Sequence, residues 1–372
     1  MRKKINATKK LFIICGYSSI YGGNFIPSIL AFAEKAKANH KDYYITLVFP
    51  DDAADNAWIT FIKEKEFNVL FYKKRSLLKS LIKIVKQERP TIIYTHFIQV
   101  IVAKIISIFS PKSKLFIHMH SDFGKFKQKT FKNFLKRVVI SILKPCAKYI
   151  CVSESILNNG TTKNAFYVPN ALCLNRMTCN HVSGQEFRLS LNIKPEDIVC
   201  LVFAWDPYIK GLDVCVDGVF KNYQKNSNIK LLIVCSSVNG EEKAKRFILE
   251  KTNCLPNAPF LYYLAPSEDV FKFHEAADIF ISSSRSEGYP YSILEALSLN
   301  KQIVMSDIPG TQWVKKYEQL VHTFKSEDSQ ELSEKIKEAI ETKKPNYNVF
   351  LNNNSFTIDK WTEEIERIIF AI

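Results

Sequence analysis

Short apolar runs alternate along the chain with segments whose apolar positions recur every three to four residues. Leu11–Cys15, Tyr44–Phe49, Val69–Tyr72, Ile92–His96, Leu115–His118 and Tyr149–Val152 read as strands. Between them Asn24–Lys37, Ala54–Glu66, Ser76–Glu88, Gln99–Ile108 and Lys125–Leu143 read as helices. In Ser76–Glu88 the apolar residues Leu77, Leu78, Leu81, Ile82 and Val85 fall on one face. The pattern lapses over the polar stretch Ala171–Asp197, which reads as a connection. It then restarts, with strands at Val199–Ala204, Lys230–Cys235, Phe260–Tyr263, Ile279–Ser282, Ile303–Ser306 and Leu320–His322. Helices follow at Gly211–Tyr223, Glu241–Lys251, Ser267–Ala276, Tyr291–Leu299 and Ser329–Thr342, and an amphipathic helix closes the chain at Ile358–Ile372. Such alternation predicts an α/β protein with doubly wound parallel sheets, in two Rossmann-like domains. The expected division is residues 1–178 and 179–355, with the helix 356–372 packing back on the first domain.

Composition narrows the class. With 372 residues, 47% hydrophobic and 13% aromatic, the chain can build two packed cores and is not mainly disordered. The net charge of +15 is unevenly spread: residues 1–178 hold 30 Lys/Arg against 10 Asp/Glu, and residues 179–372 hold 22 against 27. The base concentrates in Lys73–Arg89 and Lys112–Lys148. In Lys125–Lys144 the apolar residues Phe126, Phe131, Phe134, Leu135, Val138, Val139 and Ile142 have roughly helical spacing. A basic amphipathic helix of this kind suits an anionic membrane surface, and a core-packed helix with a solvated basic face is the plain alternative. Nucleic acid is not the expected partner, because no recognition-helix, RNP or zinc-finger pattern is present. The nine cysteines are odd in number and form no C-x-x-C pair, so reduced, largely buried thiols are expected. The closest approach to a membrane span, Thr91–Ser110, is interrupted by His96, Gln99 and Lys104. Leu11–Cys15 behind Met1-Arg2-Lys3-Lys4 is too short for a signal-peptide core. A cytoplasmic protein is expected, with at most peripheral contact at the inner face of the membrane.

One segment carries most of the chemistry. Ser282–Ala296 runs from a strand through small polar residues and a Gly288-Tyr289-Pro290 loop into a helix beginning near Tyr291. A helix N-terminus offers unpaired N–H groups and a positive dipole end, which suits phosphate. Glu287 lies before that helix and Glu295 about one turn inside it. The first carboxylate can accept from sugar hydroxyls and the second can reach a ribose diol, although both could be plain charged surface positions.

The run Glu287-Gly-Tyr-Pro-Tyr-Ser-Ile-Leu-Glu295, followed by Ile303–Gly310, resembles the E-x7-E signature of the family 4 glycosyltransferases of GT-B fold. Other blocks resemble that family in the expected order. They are Gly22-Gly23 after the first strand, His118-Met-His120-Ser-Asp122, Val152-Ser-Glu-Ser155, Val168-Pro-Asn170-Ala171, and Phe203-Ala-Trp205-Asp206 leading to Lys210-Gly211. The resemblance implies two Rossmann-like domains facing a central cleft. It implies a retaining glycosyltransferase that moves a sugar from a nucleotide-diphosphate donor to a hydroxyl of a saccharide or polyprenyl-phosphate-linked acceptor. The setting it implies is capsule, exopolysaccharide or lipopolysaccharide assembly.

Carried over residue by residue, Lys210 sits against the donor diphosphate, Glu287 touches the donor sugar and Glu295 the ribose. Gly288, Tyr289, Pro290 and Tyr291 form a backbone cradle. His120, rather than His118, lines the cleft near the transferred sugar; Trp205 and Arg285 join the donor-binding residues, and Gly22, Gly23, His118 and Asn170 lie on the acceptor side. The chain departs from the family at Ala204-Trp205, where Gly-Arg is usual, and at Ala171 in place of glycine. The second cation of the usual Arg/Lys pair is thus missing, and Arg285 is the candidate to replace it. No D-x-D motif at a strand end appears, so neither a required metal nor a resident cofactor is expected, the nucleotide-sugar being a co-substrate. Two other readings stay open on the same motifs: an epimerase- or phosphorylase-like sugar-nucleotide enzyme, and a catalytically silent binding protein.

Overall fold

A computed structural model describes residues 9–121, 146–159, 164–178, 182–237, 239–343, 348, 350 and 357–371. The helix expected over Lys125–Leu143 lies outside the described residues. The chain divides into two compact units, Met1–Ala171 with Ile358–Ile372, and Leu172–Thr357. The division falls just ahead of the 178/179 boundary read from the hydrophobic pattern.

In the first unit the strands are β1 (Lys9–Cys15), β2 (Tyr43–Pro50), β3 (Asn68–Tyr72), β4 (Ile92–His96), β5 (Lys114–Met119), β6 (Lys148–Cys151) and β7 (Ala165–Tyr167). They form one parallel sheet in the order β3-β2-β1-β4-β5-β6-β7. β1 lies in its interior, with Leu11 registered against Ile45 on one side and Ile92 on the other. Leu11, Phe12, Ile13, Ile14 and Cys15 are all wholly buried. A strand covered by helices on both faces cannot alternate polar and apolar residues, which is why it reads as an unbroken apolar run. The connecting helices are α1 (Phe25–Asn39), α2 (Ala57–Glu64), α3 (Leu77–Glu88), α4 (Val100–Ile108) and α5 (Glu154–Asn159).

The second unit opens with α6 (Gly184–Ser190). That helix corrects the reading of Ala171–Asp197 as pure connection. Ser183 accepts from the Glu186 N–H while the Glu186 side chain accepts from the Ser183 N–H, a reciprocal cap that starts a helix in a polar stretch. Next come β8 (Ile198–Ala204), α7 (Leu212–Tyr223), β9 (Ile229–Cys235), α8 (Gly240–Lys251), β10 (Leu261–Leu264), α9 (Phe271–Ala276) and β11 (Ile279–Ser282). The unit continues with α10 (Tyr291–Ser298), β12 (Gln302–Asp307), β13 (Val321–Lys325) and α11 (Ser329–Glu341). The parallel order is β10-β9-β8-β11-β12-β13. Each sheet therefore reverses direction of winding once, between β1 and β4 in the first unit and between β8 and β11 in the second. Crossovers diverge at such a point and leave a crevice beyond the carboxyl ends of the two strands.

No helix of the described residues is long and apolar enough to cross a membrane. All eight described cysteines are free, and six of them are buried.

The final helix, α12 (Ile358–Phe370), packs on α1 of the first unit. Trp361, Ile365, Ile368 and Ile369 enter the same core as Phe25, Ile26 and Ile29. Polar contacts fix its register. Glu366 accepts from Asn39 at 2.8 Å and meets His40 Nε2 at 3.0 Å, and the His40 ring stacks on Phe370 at 3.6 Å. Ile365 is 0% exposed, so Ile365→Ala is expected to destabilise the first unit by about 2–5 kcal/mol. Denaturant unfolding followed by a probe in that unit checks this, and a loss below about 1 kcal/mol would place the helix outside its core.

Candidate active site

In the second unit the crevice between β8 and β11 is built around one loop. After β8 the chain passes Trp205 and turns tightly: the Ile209 N–H donates to Asp206 Oδ1, the Lys210 N–H to the Asp206 carbonyl, and the Gly211 N–H to the Tyr208 carbonyl. Gly211 has φ +60°, and a Cβ there would lie 2.0 Å from the Ser283 carbonyl oxygen. Only glycine combines that backbone region with so close an approach. The Ser283 hydroxyl lies 2.8 Å from the Lys210 carbonyl and 2.9 Å from that of Gly211, tying the loop to the end of β11.

The Lys210 ammonium is thereby delivered to Glu287, with Nζ 2.5 Å from Oε1. Ser284 donates to the same oxygen at 2.7 Å. The side chains of Lys210 and Glu287 are only 11% and 12% exposed. Trp205 stands beside them, half exposed, with Lys210 Nζ 5.6 Å from its ring centroid. Ser282, Ser283, Ser284 and Ser292 line the adjoining cavity with Lys210. Ser292 is in the first turn of α10, whose leading residue Pro290 gives no side-chain cap. Lys210 and the first turn of α10 thus meet at the end of β11, where a cation and the positive end of a helix dipole together suit an anion.

Arg285 departs from the role of second phosphate cation. Its guanidinium is bidentate on Asp213 (2.9 and 2.7 Å), donates to Glu327 and to the Tyr208 carbonyl, and lies over the Tyr208 ring. The Arg285 N–H donates to the Ile209 carbonyl. These contacts consume its donors and clamp the outer side of the Lys210 loop. Asp213 hydrogen bonding holds its pKa above even the usual arginine value.

The turn after Glu287 is shaped by Gly310, where a Cβ would lie 2.1 Å from the Glu287 carbonyl oxygen. Gly288, Tyr289 and Pro290 are buried and Tyr291 is half-buried. The Tyr289 ring stacks on Trp313 at 4.1 Å, so this residue offers the crevice its backbone and not its ring. Glu295 is 6% exposed and meets His274 Nε2 at 3.4 Å. It is no solvated helix residue. Its histidine partner, Ser283, Ser284 and Gly310 carried no role in the sequence reading.

The first unit has its own crevice, between β1 and β4. Gly22 and Gly23 follow β1 and lead into α1. Gly23 takes φ +56°, and the Gly22 carbonyl accepts from the Ile26 N–H. Tyr17 hydroxyl donates to the Tyr21 carbonyl and braces this turn. At the other wall stands a stack of rings. His118 and His120 are 4.5 Å apart and 11° from parallel, and Phe97 covers His120 at 3.9 Å. Phe97 has φ +55°, an uncommon state for an aromatic residue. His118 is buried and bonded to the Tyr94 hydroxyl, whereas His120 is half-buried and bonded through Nε2 to His96 Nδ1. His120 is thus the more open of the two. Asn170 is buried just before the unit boundary.

The nitrogens of His96, His118 and His120 lie within 4.8 Å of one another. An ion must lie near the plane of each imidazole whose lone pair it takes. The His118 and His120 rings are 11° from parallel, and His96 Nε2 and His118 Nε2 are buried with no hydrogen-bond partner among the described residues. Burial pushes His120 down to about 3 and His96 and His118 well below the ordinary value.

Residues 184–355 match the family model described as glycosyl transferases group 1. The second unit is a glycosyl transferases group 1 domain. Among curated relatives, an uncharacterized glycosyltransferase of Methanocaldococcus jannaschii is 23% identical over 275 residues, 68% of this chain and 65% of that protein. The N,N'-diacetylbacillosaminyl-diphospho-undecaprenol alpha-1,3-N-acetylgalactosaminyltransferase of Campylobacter jejuni is 32% identical over 101 residues, 26% of each chain. The match thus spans less than two thirds of the length of either relative. Among solved structures, Anabaena HepE in complex with UDP and glucose superposes with a TM-score of 0.75, at 17% identity, over 98% of this chain and 100% of that one. The fold is GT-B, and the group 1 domain holds Lys210 and Glu287 as an ion pair beside the end of β11.

Two outcomes follow from this geometry. Arg285→Ala leaves Asp213 without its partner and is expected to cost about 1–3 kcal/mol, with faster proteolysis within 205–211; a loss under about 0.5 kcal/mol would remove the clamp. The three histidines bind protons more readily when unfolded. Their stabilising contribution is complete above about pH 6.5 and falls as pH drops toward 5, by about 1.4 kcal/mol per pH unit for each. Denaturation midpoints of the wild type and His120→Gln between pH 7 and 5 check this, the variant being expected to show the shallower slope.

Proposed function

We propose that the protein is a retaining glycosyltransferase that moves a sugar from a nucleoside-diphosphate donor to a hydroxyl of a lipid-linked saccharide. The observation that carries this reading is the Lys210–Glu287–Ser284 cluster beside the uncapped start of α10. Without ligand, Lys210 is held on a carboxylate. An arriving diphosphate offers it oxygens of higher charge, and the exchange leaves Glu287 free to accept from hydroxyls of the donor sugar. Lys210, the serine hydroxyls and the α10 N–H groups then face the charge that grows on the leaving phosphate as the glycosidic bond breaks. These groups supply the compensation without a resident metal or cofactor. In the same reading the donor phosphate takes the acceptor proton and attack comes from its own face, which retains the anomeric configuration.

His120 belongs to this reading as the first unit's contribution. Its pKa of about 3 keeps the ring uncharged at neutral pH, so it serves as a hydrogen-bonding group to the transferred sugar. Gly22, Gly23 and Asn170 contribute the acceptor side. The activity for which the Campylobacter relative is named, on a diphospho-undecaprenol acceptor, supports a polyprenyl-linked acceptor here. The UDP and glucose bound by Anabaena HepE support a UDP-sugar as the first donor to try. A cytoplasmic location with peripheral contact at the membrane suits such an acceptor and the excess base of residues 1–178. On α3, Lys79, Lys83 and Leu78 are available to that contact. Surface polysaccharide assembly, as capsule or exopolysaccharide, is the setting proposed.

Transfer from UDP-, GDP- and dTDP-sugars to a polyprenyl-diphosphate saccharide tests the reading. Lys210→Ala and Glu287→Ala are each expected to lower kcat/KM at least 100-fold, about 2.7 kcal/mol of transition-state stabilisation. Unchanged transfer by either variant overturns the assignment. Product released from donor alone, with no acceptor present, would favour an epimerase-like enzyme instead.

A further inference from the structure

The histidines of the first unit admit a proton count. Burial holds the imidazoles of His96, His118 and His120 uncharged at neutral pH, so each ring carries one proton. His96 is wholly buried, and its Nδ1 lies 3.0 Å from His120 Nε2. Its own Nε2 has no hydrogen-bond partner among the described residues. The rings of Tyr94, His118 and Phe25 surround it, with centroids 4.3, 4.7 and 5.3 Å away.

Two proton placements satisfy the bond between His96 and His120. In one, His96 Nδ1–H donates to His120 Nε2, and His120 carries its own proton on Nδ1. His96 Nε2 is then a bare acceptor. In the other, His120 Nε2–H donates to His96 Nδ1, and the His96 proton sits on Nε2 as a buried N–H with no acceptor. An orphaned buried donor is the costlier of the two unmet groups, so the first placement is selected. Stacking opposes any turn of the His120 ring that would exchange its nitrogens: Phe97 lies on it at 3.9 Å and His118 at 4.5 Å.

We propose that His96 is a positioning residue: it fixes the His120 proton on Nδ1, so that the first unit offers its crevice a hydrogen-bond donor and not a base. His96 would touch no substrate itself. This rests on the reading of His120 given above, and it deepens that reading by naming what the ring can do. A ring presented as Nδ1–H donates to a substrate oxygen, whether of a sugar or of a phosphate. It does not take the proton of an attacking hydroxyl, because that requires a bare Nδ1 and so the orphaned N–H on His96. The hydroxyl proton then leaves by another route, which the donor phosphate supplies in the retaining reading.

Long-range proton–nitrogen-15 spectra of the full chain, labelled at histidine, read the tautomer at neutral pH, and His120→Asn assigns the His120 signals. Wild type is expected to carry the His120 proton on Nδ1; a proton on Nε2 overturns the proposal. His96→Phe keeps a ring in the stack but removes the donor, and the His120 proton is expected to move to Nε2. His96→Asn places an amide N–H near the lost Nδ1–H and is expected to restore the wild-type state. In the transfer assay His120→Asn keeps a donor near Nδ1 but has no basic nitrogen, and its kcat is expected to stay within about threefold of wild type. His96→Phe is expected to lower kcat about tenfold with the donor KM unchanged, and His96→Asn to recover it. A loss of about 100-fold or more in His120→Asn, equal to that in His120→Ala, makes the ring a base and overturns the proposal. If His120→Ala is impaired while His96→Phe keeps the proton on Nδ1, the positioning role is wrong and the reading of His120 stands. Normal transfer by His120→Ala overturns that reading and the positioning role with it. Should His96→Phe fail to fold, the wild-type spectrum and His120→Asn decide.

Discussion

The backbone of the Lys210 loop lies against the end of β11 at a distance that excludes any side chain at position 211. The rest of the second unit's site depends on that approach. A Cβ at Gly211 would fall 2.0 Å from the Ser283 carbonyl oxygen, and the Ser283 hydroxyl closes the gap from the other side. The loop's height above the sheet is therefore set by contact and not by its own flexibility. Lys210 inherits its position from this contact, Glu287 meets it from the opposite wall, and Arg285 locks the outside. A second close approach, Gly310 against the Glu287 carbonyl, sets that opposite wall. Two glycines from different segments thus define the spacing of one ion pair.

The first unit solves a different problem at its corresponding crevice. There the strand ends carry rings, and the rings are stacked. Desolvation keeps the histidines uncharged, which removes the repulsion that three neighbouring imidazolium groups would exert on one another. A neutral stack gives the first unit a hydrogen-bonding wall in an otherwise strongly basic half of the chain. The two crevices are chemically complementary: one is organised by a fixed charge, the other by its avoidance.

Much of this was legible in the sequence, and what escaped has a common cause. Buried parallel strands read as apolar runs, so β4 and β11 were placed to the residue. Lys210 was singled out in the loop after β8, and Glu287 and Glu295 by their spacing across the turn from β11 into α10. Arg285 was misjudged because its role depends on Asp213 and Glu327, partners 72 and 42 residues away in sequence. His274 gave no signal at all, since a single histidine in an amphipathic stretch looks like packing. The α6 helix was missed for the opposite reason. Its Ser183–Glu186 cap was local and readable, but the surrounding polarity hid it. Pairwise partnerships across long separations have no periodicity, and only a fold brings them together.

The return of α12 to the first unit has a consequence for the order in which the molecule can form. The core around Phe25 and Ile29 is closed by a helix made only after the whole of the second unit. During synthesis the first unit therefore waits with an apolar groove along α1 uncovered, while the second unit, continuous in sequence, can complete itself first. The protein's vulnerable interval is thus the one before α12 docks, and the helix that ends it reaches the crevice rings, Trp361 stacking on His118 at 6.1 Å.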